Sequence, residues 1–141
     1  MDMDREIIRK IEESEIAVAV ISAEGRVRTA SGHTIRPLVT LADEYPEYFE
    51  GGTVADRVIG KGAASIIVTM GATEAYGRLM SIPGKKMLEE AGIKASWGIL
   101  TENIENMRRD GLCPLETRVA GIEDVSECAA SVREFAASLK A

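Results

Sequence analysis

Few residues in this chain could do chemistry. They are the carboxylate and cations of "TVADRVIGKGAASIIV" (53–68), the thiols Cys113 and Cys128, the single imidazole His33, and an acidic group, Glu102, Glu105, Asp110 and Glu116. A phosphate loop needs a glycine five residues before Gly-Lys and a hydroxyl residue after it, whereas Ala55 precedes Gly60-Lys61 and Gly62 follows. The pattern fails at both ends. The same glycines lie inside a helical apolar stripe rather than between a strand and a helix, which excludes a dinucleotide fingerprint. Gly60 and Gly62 are expected to let a neighbouring backbone approach closely. In this reading Asp56 stands in the first turn of that helix, where a carboxylate complements the free amides and the dipole. Arg57 and Lys61 are solvated or face a subunit contact.

Cys113 precedes Pro114 at an expected helix start, where amides and dipole can lower a thiol pKa and make the sulfur nucleophilic. A nucleophile of this kind needs a base, and His33 is far upstream in a turn-like Gly-His-Thr. Cys128 falls on an apolar helix face and is assigned to the core. The acidic group has the spacing of no calcium loop and is expected to be solvated. Trp97 is expected to pack rather than to stack on a base.

Periodicity supplies the elements that position these groups. Ile7, Ile8 and Ile11 make residues 4–13 a short amphipathic helix. "EIAVAVIS" (15–22) and "RVRTAS" (26–31) form a hairpin through Gly25. A helix runs from Thr34 to Leu41 or Glu44, and "EYPEYFEGG" breaks the chain. Ile59, Ala63, Ile66, Ile67 and Met70 predict a central helix over 55–70. Then follow a strand over 73–81, a helix from Ser81 and Pro83 to Glu90, a strand over 94–100, a helix from Pro114 to about Ala120, and a docked helix over 125–140. Alternation of this kind gives an α/β fold, a three-layer α/β/α sandwich with a mixed sheet. Its first strands are antiparallel and its later ones are joined by helices. Residues 1–141 are expected to form one domain.

The composition narrows the function. A formal charge of -6 leaves no basic surface for nucleic acid, Arg108-Arg109 being the nearest approach to one. No run of about 20 apolar residues could cross a membrane, and the acidic start is no signal peptide, so a cytoplasmic protein without a membrane partner is expected. Aromatic residues are 4% of the chain, which leaves the core to Ile, Val, Leu, Met and Ala. The two cysteines are expected to stay reduced.

The order of elements, "VADR" at the start of the central helix and "SIPGKKM" at the start of the next, resembles the cytidine deaminase fold. In that family the first helix opens on a His or Cys ligand, Ala and a catalytic Glu, and the next on Pro-Cys-x-x-Cys, with zinc-bound water as the reagent. Laid on that pattern, Val54 takes the ligand position, Ala55 the alanine and Asp56 the acid/base. Pro83 takes the proline, with Gly84 and Met87 at the two cysteines. The resemblance therefore implies a deaminase-like domain without zinc ligands. Over nearly the whole chain, including "GLCPLE", the closer resemblance is to an uncharacterised prokaryotic family with this fold, which carries no assigned activity. It implies a homo-oligomer.

Three expectations follow. The first is a pocket at the helix starts, formed by Val54, Ala55, Pro83, Gly84 and Lys85, that binds a small polar or nucleotide-like metabolite. The second is a zinc-independent enzyme with Asp56 as acid/base and Cys113 as nucleophile, and the third an oligomeric interaction module. No metal and no cofactor enters any of them, and whether the chain is an enzyme stays open.

Overall fold

The computed structural model describes residues 5–105, 111 and 113–139. In chain order the elements are α1 (Arg5–Glu12), β1 (Val18–Ile21), β2 (Val27–Ala30), α2 (Arg36–Glu44), α3 (Pro46–Phe49), β3 (Thr53–Ile59), α4 (Lys61–Thr69), β4 (Glu74–Ser81), α5 (Ile82–Glu90), β5 (Lys94–Thr101), α6 (Pro114–Val119) and α7 (Val125–Ser138). The five strands form a mixed sheet in the order β2-β1-β3-β4-β5. β1 is antiparallel to both β2 and β3, while β3, β4 and β5 run parallel. This is the expected α/β architecture.

One element departs from the sequence expectation. The helix predicted over 55–70 is a strand and a shorter helix: Thr53–Ile59 is extended, and α4 starts only at Lys61. The apolar stripe that suggested one helix holds only from Ala63 onward. Upstream, Thr53, Val54, Val58 and Ile59 are β-branched and fit a pleated strand better than a helix. β3 lies at the centre of the sheet, bonded to β1 on one side and β4 on the other, so most of it is buried and shows no alternation to betray it. Gly60 separates the two elements as the residue before α4 and does not stand in a helix interior. A smaller difference is α3, a single turn inside the segment expected to be a loop.

The sheet has two unequal coverings. Val18, Val20 and Val54 point into the larger core, built with α2, α4, α5, α6 and α7, whereas Ala19, Ile21, Ala55 and Tyr76 meet Ile7 and Ile11 of α1 on the other face. The alternation follows from the two-residue period of a strand. It is interrupted once. Strand pairing skips Arg57, Arg78 and Gly98, and beyond the skip Ile59 and Met80 turn toward the larger core. This leaves Val58, Leu79 and Ile99 in register on the other face, with Val58 and Ile99 exposed. Among the described residues no helix is long and apolar enough to cross a membrane.

Candidate functional site

The carboxyl ends of β3, β4 and β5 lie together at one edge of the sheet, and the antiparallel pairing brings the start of β1 and the end of β2 to the same edge. In open α/β sheets ligands settle at this edge, where strand order or direction changes. Here the direction changes between β1 and β3, and Asp56 sits on β3 opposite Val18 of β1. By strand alternation its side chain faces the helices of the larger core, as Val54 does.

Asp56 is a half-buried carboxyl that makes no salt bridge among the described residues. Its Oδ1 accepts a hydrogen bond from the Val58 amide at 3.3 Å. Burial pushes its pKa up to about 7, against weaker downward pulls from the Val58 amide and the Arg57 charge. The physical cause is loss of water around a charge that the neighbouring Arg57 only partly offsets. Arg57 turns elsewhere: its Nη2 donates to the Gly32 carbonyl at 2.7 Å, and its amide donates to Ala17 at 3.1 Å. The buried Nε has no partner. The Gly32 loop itself is bent, since Thr34 has a φ of 69°, a left-handed value that a β-branched residue rarely adopts. His33 in this loop is exposed.

A raised carboxyl has a consequence for stability. The folded protein holds the Asp56 proton to higher pH than the unfolded chain, whose carboxyl titrates near 4. This contribution to stability is therefore full below about pH 4 and is lost as pH rises through about 7. A shift of this size corresponds to ~4 kcal/mol if fully expressed, and the remaining exposure of the residue leads us to expect about half of that. Asp56→Asn should match the parent protein in acid and exceed it by about 2 kcal/mol above about pH 8, measured by urea unfolding at both pH values. An identical gain or loss at both would remove the buried charge from the account.

The first turns of α4 and α5 are packed closely together. The amides of Lys61 and Gly62 are taken by one carboxylate, Glu116 of α6, whose Oε1 and Oε2 accept them at 2.7 and 3.1 Å. A Cβ on Gly60 would lie 2.4 Å from Glu116 Oε1, and one on Gly62 would lie 2.8 Å from Leu115 Cδ2. Both glycines thus admit a close approach, though of side chains rather than of the backbone the sequence suggested, and at the start of a helix rather than inside one. On α5, Ser81 Oγ accepts the Gly84 amide at 3.0 Å. A Cβ on Gly84 would meet the backbone of Ile59 and Gly60 at 2.9 Å.

The expected site residues are consequently dispersed. Val54 and Ala55 are not at a helix start but in mid-strand, and both are fully buried, one in each core. Asp56 is also in the strand and has no helix dipole to complement. Pro83, Gly84 and Lys85 do open α5, as expected. Lys85 pairs with Glu89 at 3.0 Å and lies 5.5 Å above the Trp97 ring. It lines an open groove of about 550 Å³ with Ile82, Lys86, Glu89, Glu90 and Leu100, which neither Asp56 nor Cys113 lines. Cys113 stands before Pro114 at the start of α6, half-buried against the larger core, and no hydrogen bond or ion pair joins it to Asp56. Cys128 is fully buried, and burial pushes its thiol up. Of the acidic group, Glu102 and Glu105 are exposed, Glu116 caps α4, and Asp110, like Arg108-Arg109, lies outside the described residues.

Sequence reasoning missed Glu116. Its signal was present only in part: an acid one turn into a helix after Pro114 says nothing about which distant amides it reaches. The donor set also bears on zinc. The turns after β3 and β4 offer Gly60, Lys61, Gly62, Ser81, Ile82, Pro83 and Gly84, none with an imidazole or thiolate, and no cluster of three His, Cys, Asp or Glu occurs among the described residues. These residues do not fit a deaminase zinc.

Comparison with known proteins places the chain. Residues 6–136 match the family "TM1506: Domain of unknown function (DUF1893)". The chain belongs to this family. The crystal structure of a DUF1893 family protein (TM1506) from Thermotoga maritima superimposes with a TM-score of 0.81 at 22% identity, covering 95% of this chain and 92% of that one. A dCMP deaminase from the cyanophage S-TIM5 in apo form gives a TM-score of 0.50 at 15% identity, covering 67% of this chain and 99% of the deaminase. The DUF1893 chain thus has a cytidine deaminase-like fold. No curated protein sequence matches it.

Proposed function

We propose that this DUF1893 protein binds a small polar metabolite at the carboxyl edge of its parallel strands, without a metal, and that Asp56 is the recognition group. The observation that carries this reading is a half-buried carboxyl that forms no salt bridge among the described residues, next to the place where the sheet changes direction. A carboxyl accepts a hydrogen bond from an amino or ring N–H when ionised and donates one when protonated. The unpartnered Arg57 Nε supplies a second donor on the neighbouring residue. An amino-bearing ring such as a nucleobase meets both requirements, and the fold neighbour that acts on dCMP makes pyrimidine nucleotides the first compounds to try.

The helix starts are not part of this binding surface, because Glu116 and Ser81 already occupy their amides. A second reading, acid/base chemistry by Asp56, is favoured by a carboxyl whose pKa is close to neutral. Cys113 has no such support, since among the described residues no hydrogen bond or ion pair joins a base to its thiol.

Thermal-shift titration with cytidine, dCMP, dUMP and a panel of amino-bearing metabolites tests the proposal. A bound compound should raise the melting temperature of the parent protein, and Asp56→Asn should weaken its binding at least ~10-fold, as expected when a buried charged partner of a hydrogen bond is lost. Binding that the substitution leaves unchanged would place the ligand elsewhere. Incubation of the same compounds followed by mass spectrometry tests for turnover.

A further inference from the structure

Arg57 follows Asp56 on β3, and its backbone and side chain both reach across toward β2. Its amide donates to the Ala17 carbonyl at 3.1 Å, and the Ala17 amide donates to the Ala30 carbonyl at 3.0 Å, so β3 is tied through the start of β1 to the end of β2. There the chain leaves β2 for the loop 31–35, and Arg57 Nη2 donates to the Gly32 carbonyl of that loop at 2.7 Å. Residues 31–34 are exposed. Among the described residues this is their one hydrogen bond to a distant element. Thr34, left-handed at a φ of 69°, adds strain to a loop that little else holds.

The Nε–H and Nη2–H of an arginine lie side by side along one edge of the planar guanidinium, a spacing that suits two oxygens of a carboxylate or phosphate. In Arg57 that edge is half used. A single carbonyl takes Nη2, and the buried Nε beside it has no acceptor. A buried donor left in this way disfavours the arrangement that buries it. No carboxylate completes the fork either. The loop, Ser-Gly-His-Thr-Ile, contains none. Arg57 makes no salt bridge among the described residues, and Asp56 Oδ1 accepts the Val58 amide instead.

We infer that the Nε/Nη2 edge of Arg57 is an oxyanion site for a carboxylate or phosphate group, and that the loop 31–35 is a strap whose Gly32 carbonyl holds half of that site until the oxyanion displaces it. One bidentate anion satisfies both donors and brings the charge that a carbonyl lacks. Release of the strap lets Thr34 leave its strained conformation. A protonated Asp56, which burial favours, does not repel the incoming anion. The inference rests on the proposed Asp56 site for its place in the fold, and it narrows the ligand to a compound that joins an N–H group for Asp56 to an oxyanion for Arg57, which a neutral nucleoside does not.

Proton–nitrogen correlation NMR of the full chain, titrated with sodium phosphate and separately with sodium acetate against sodium chloride at equal ionic strength, tests this. At least one oxyanion should shift the Arg57 Nε–H signal and the Gly32, His33 and Thr34 amides saturably, and which one does so assigns phosphate or carboxylate. Arg57→Lys keeps the charge but loses the fork and should weaken that binding at least ~10-fold. Circular dichroism checks that the variant is folded, and the parent spectra decide by themselves if it is not. Oxyanion binding by a protein that takes up no amino-bearing compound would support this site while removing the reading of Asp56. Absence of a saturable shift with both oxyanions, a shift that chloride reproduces, or equal binding by folded Arg57→Lys would each overturn the inference, and none of these results touches the binding of a neutral ligand at Asp56.

Discussion

Alanine at position 84 is expected to destabilise the protein by about 3 kcal/mol, at the upper end of what overpacking costs. Gly84 lies in the first turn of α5, where its missing Cβ would otherwise stand 2.9 Å from the carbonyl oxygen of Ile59 and from the carbonyl carbon and oxygen of Gly60. These neighbours are backbone atoms. No rotamer change relieves the overlap, so α5 must move away from the β3–α4 junction, and Met87 and Leu88, buried in the larger core one turn later, move with it. Intrinsic propensity works in the opposite direction, since alanine is the better helix former by ~1 kcal/mol. Chemical denaturation of Gly84→Ala therefore separates the two effects cleanly. A stabilised variant would show that the helix starts are not in contact in solution.

Glu116→Ala should cost 2 to 3 kcal/mol, estimated from two hydrogen bonds to a charged acceptor and two amides left without a partner. Glu116 reaches Lys61 and Gly62 across a sequence separation that no local rule covers, and it holds α6 against the start of α4. Glu116→Gln is the sharper probe. It keeps one acceptor oxygen but replaces the other with a donor facing the Gly62 or Lys61 amide, so it should lose at least half as much stability as alanine. Ordinary capping residues contribute ~1 kcal/mol, which sets the threshold. If both variants fall below it, the carboxylate is a surface decoration.

These two substitutions probe the junction where sequence reasoning both succeeded and failed. In "TVADRVIGKGAASIIV" the apolar stripe predicts one helix from Ala55 onward, with glycines chosen for close approach. The close approach is present, at Gly60 and Gly62 against Glu116 and Leu115. The helix expected over 55–70 is not, because Thr53–Ile59 is the central strand and α4 starts only at Lys61. A strand buried on both faces has no periodicity of its own, and Ile59 happened to continue the stripe of Ala63, Ile66 and Ile67. That slip moved Val54, Ala55 and Asp56 from a helix start into the sheet.

The sequence by itself determined the elements whose pattern is local. Ile7 and Ile11 define α1 by spacing, Gly25 turns the β1–β2 hairpin, Ser81 and Pro83 open α5, and Val125 to Ser138 form one docked helix. It also carried the α/β class and the family resemblance, because both rest on the order of such elements. Only the tertiary structure decided what depends on contacts between distant residues. Burial, rather than a helix dipole, governs Asp56. The partner of the α4 amides is Glu116, from a helix far along the chain. β5 is an edge and β3 a centre for a similar reason: strand position is fixed by which backbones pair, and a single strand carries no record of its neighbours.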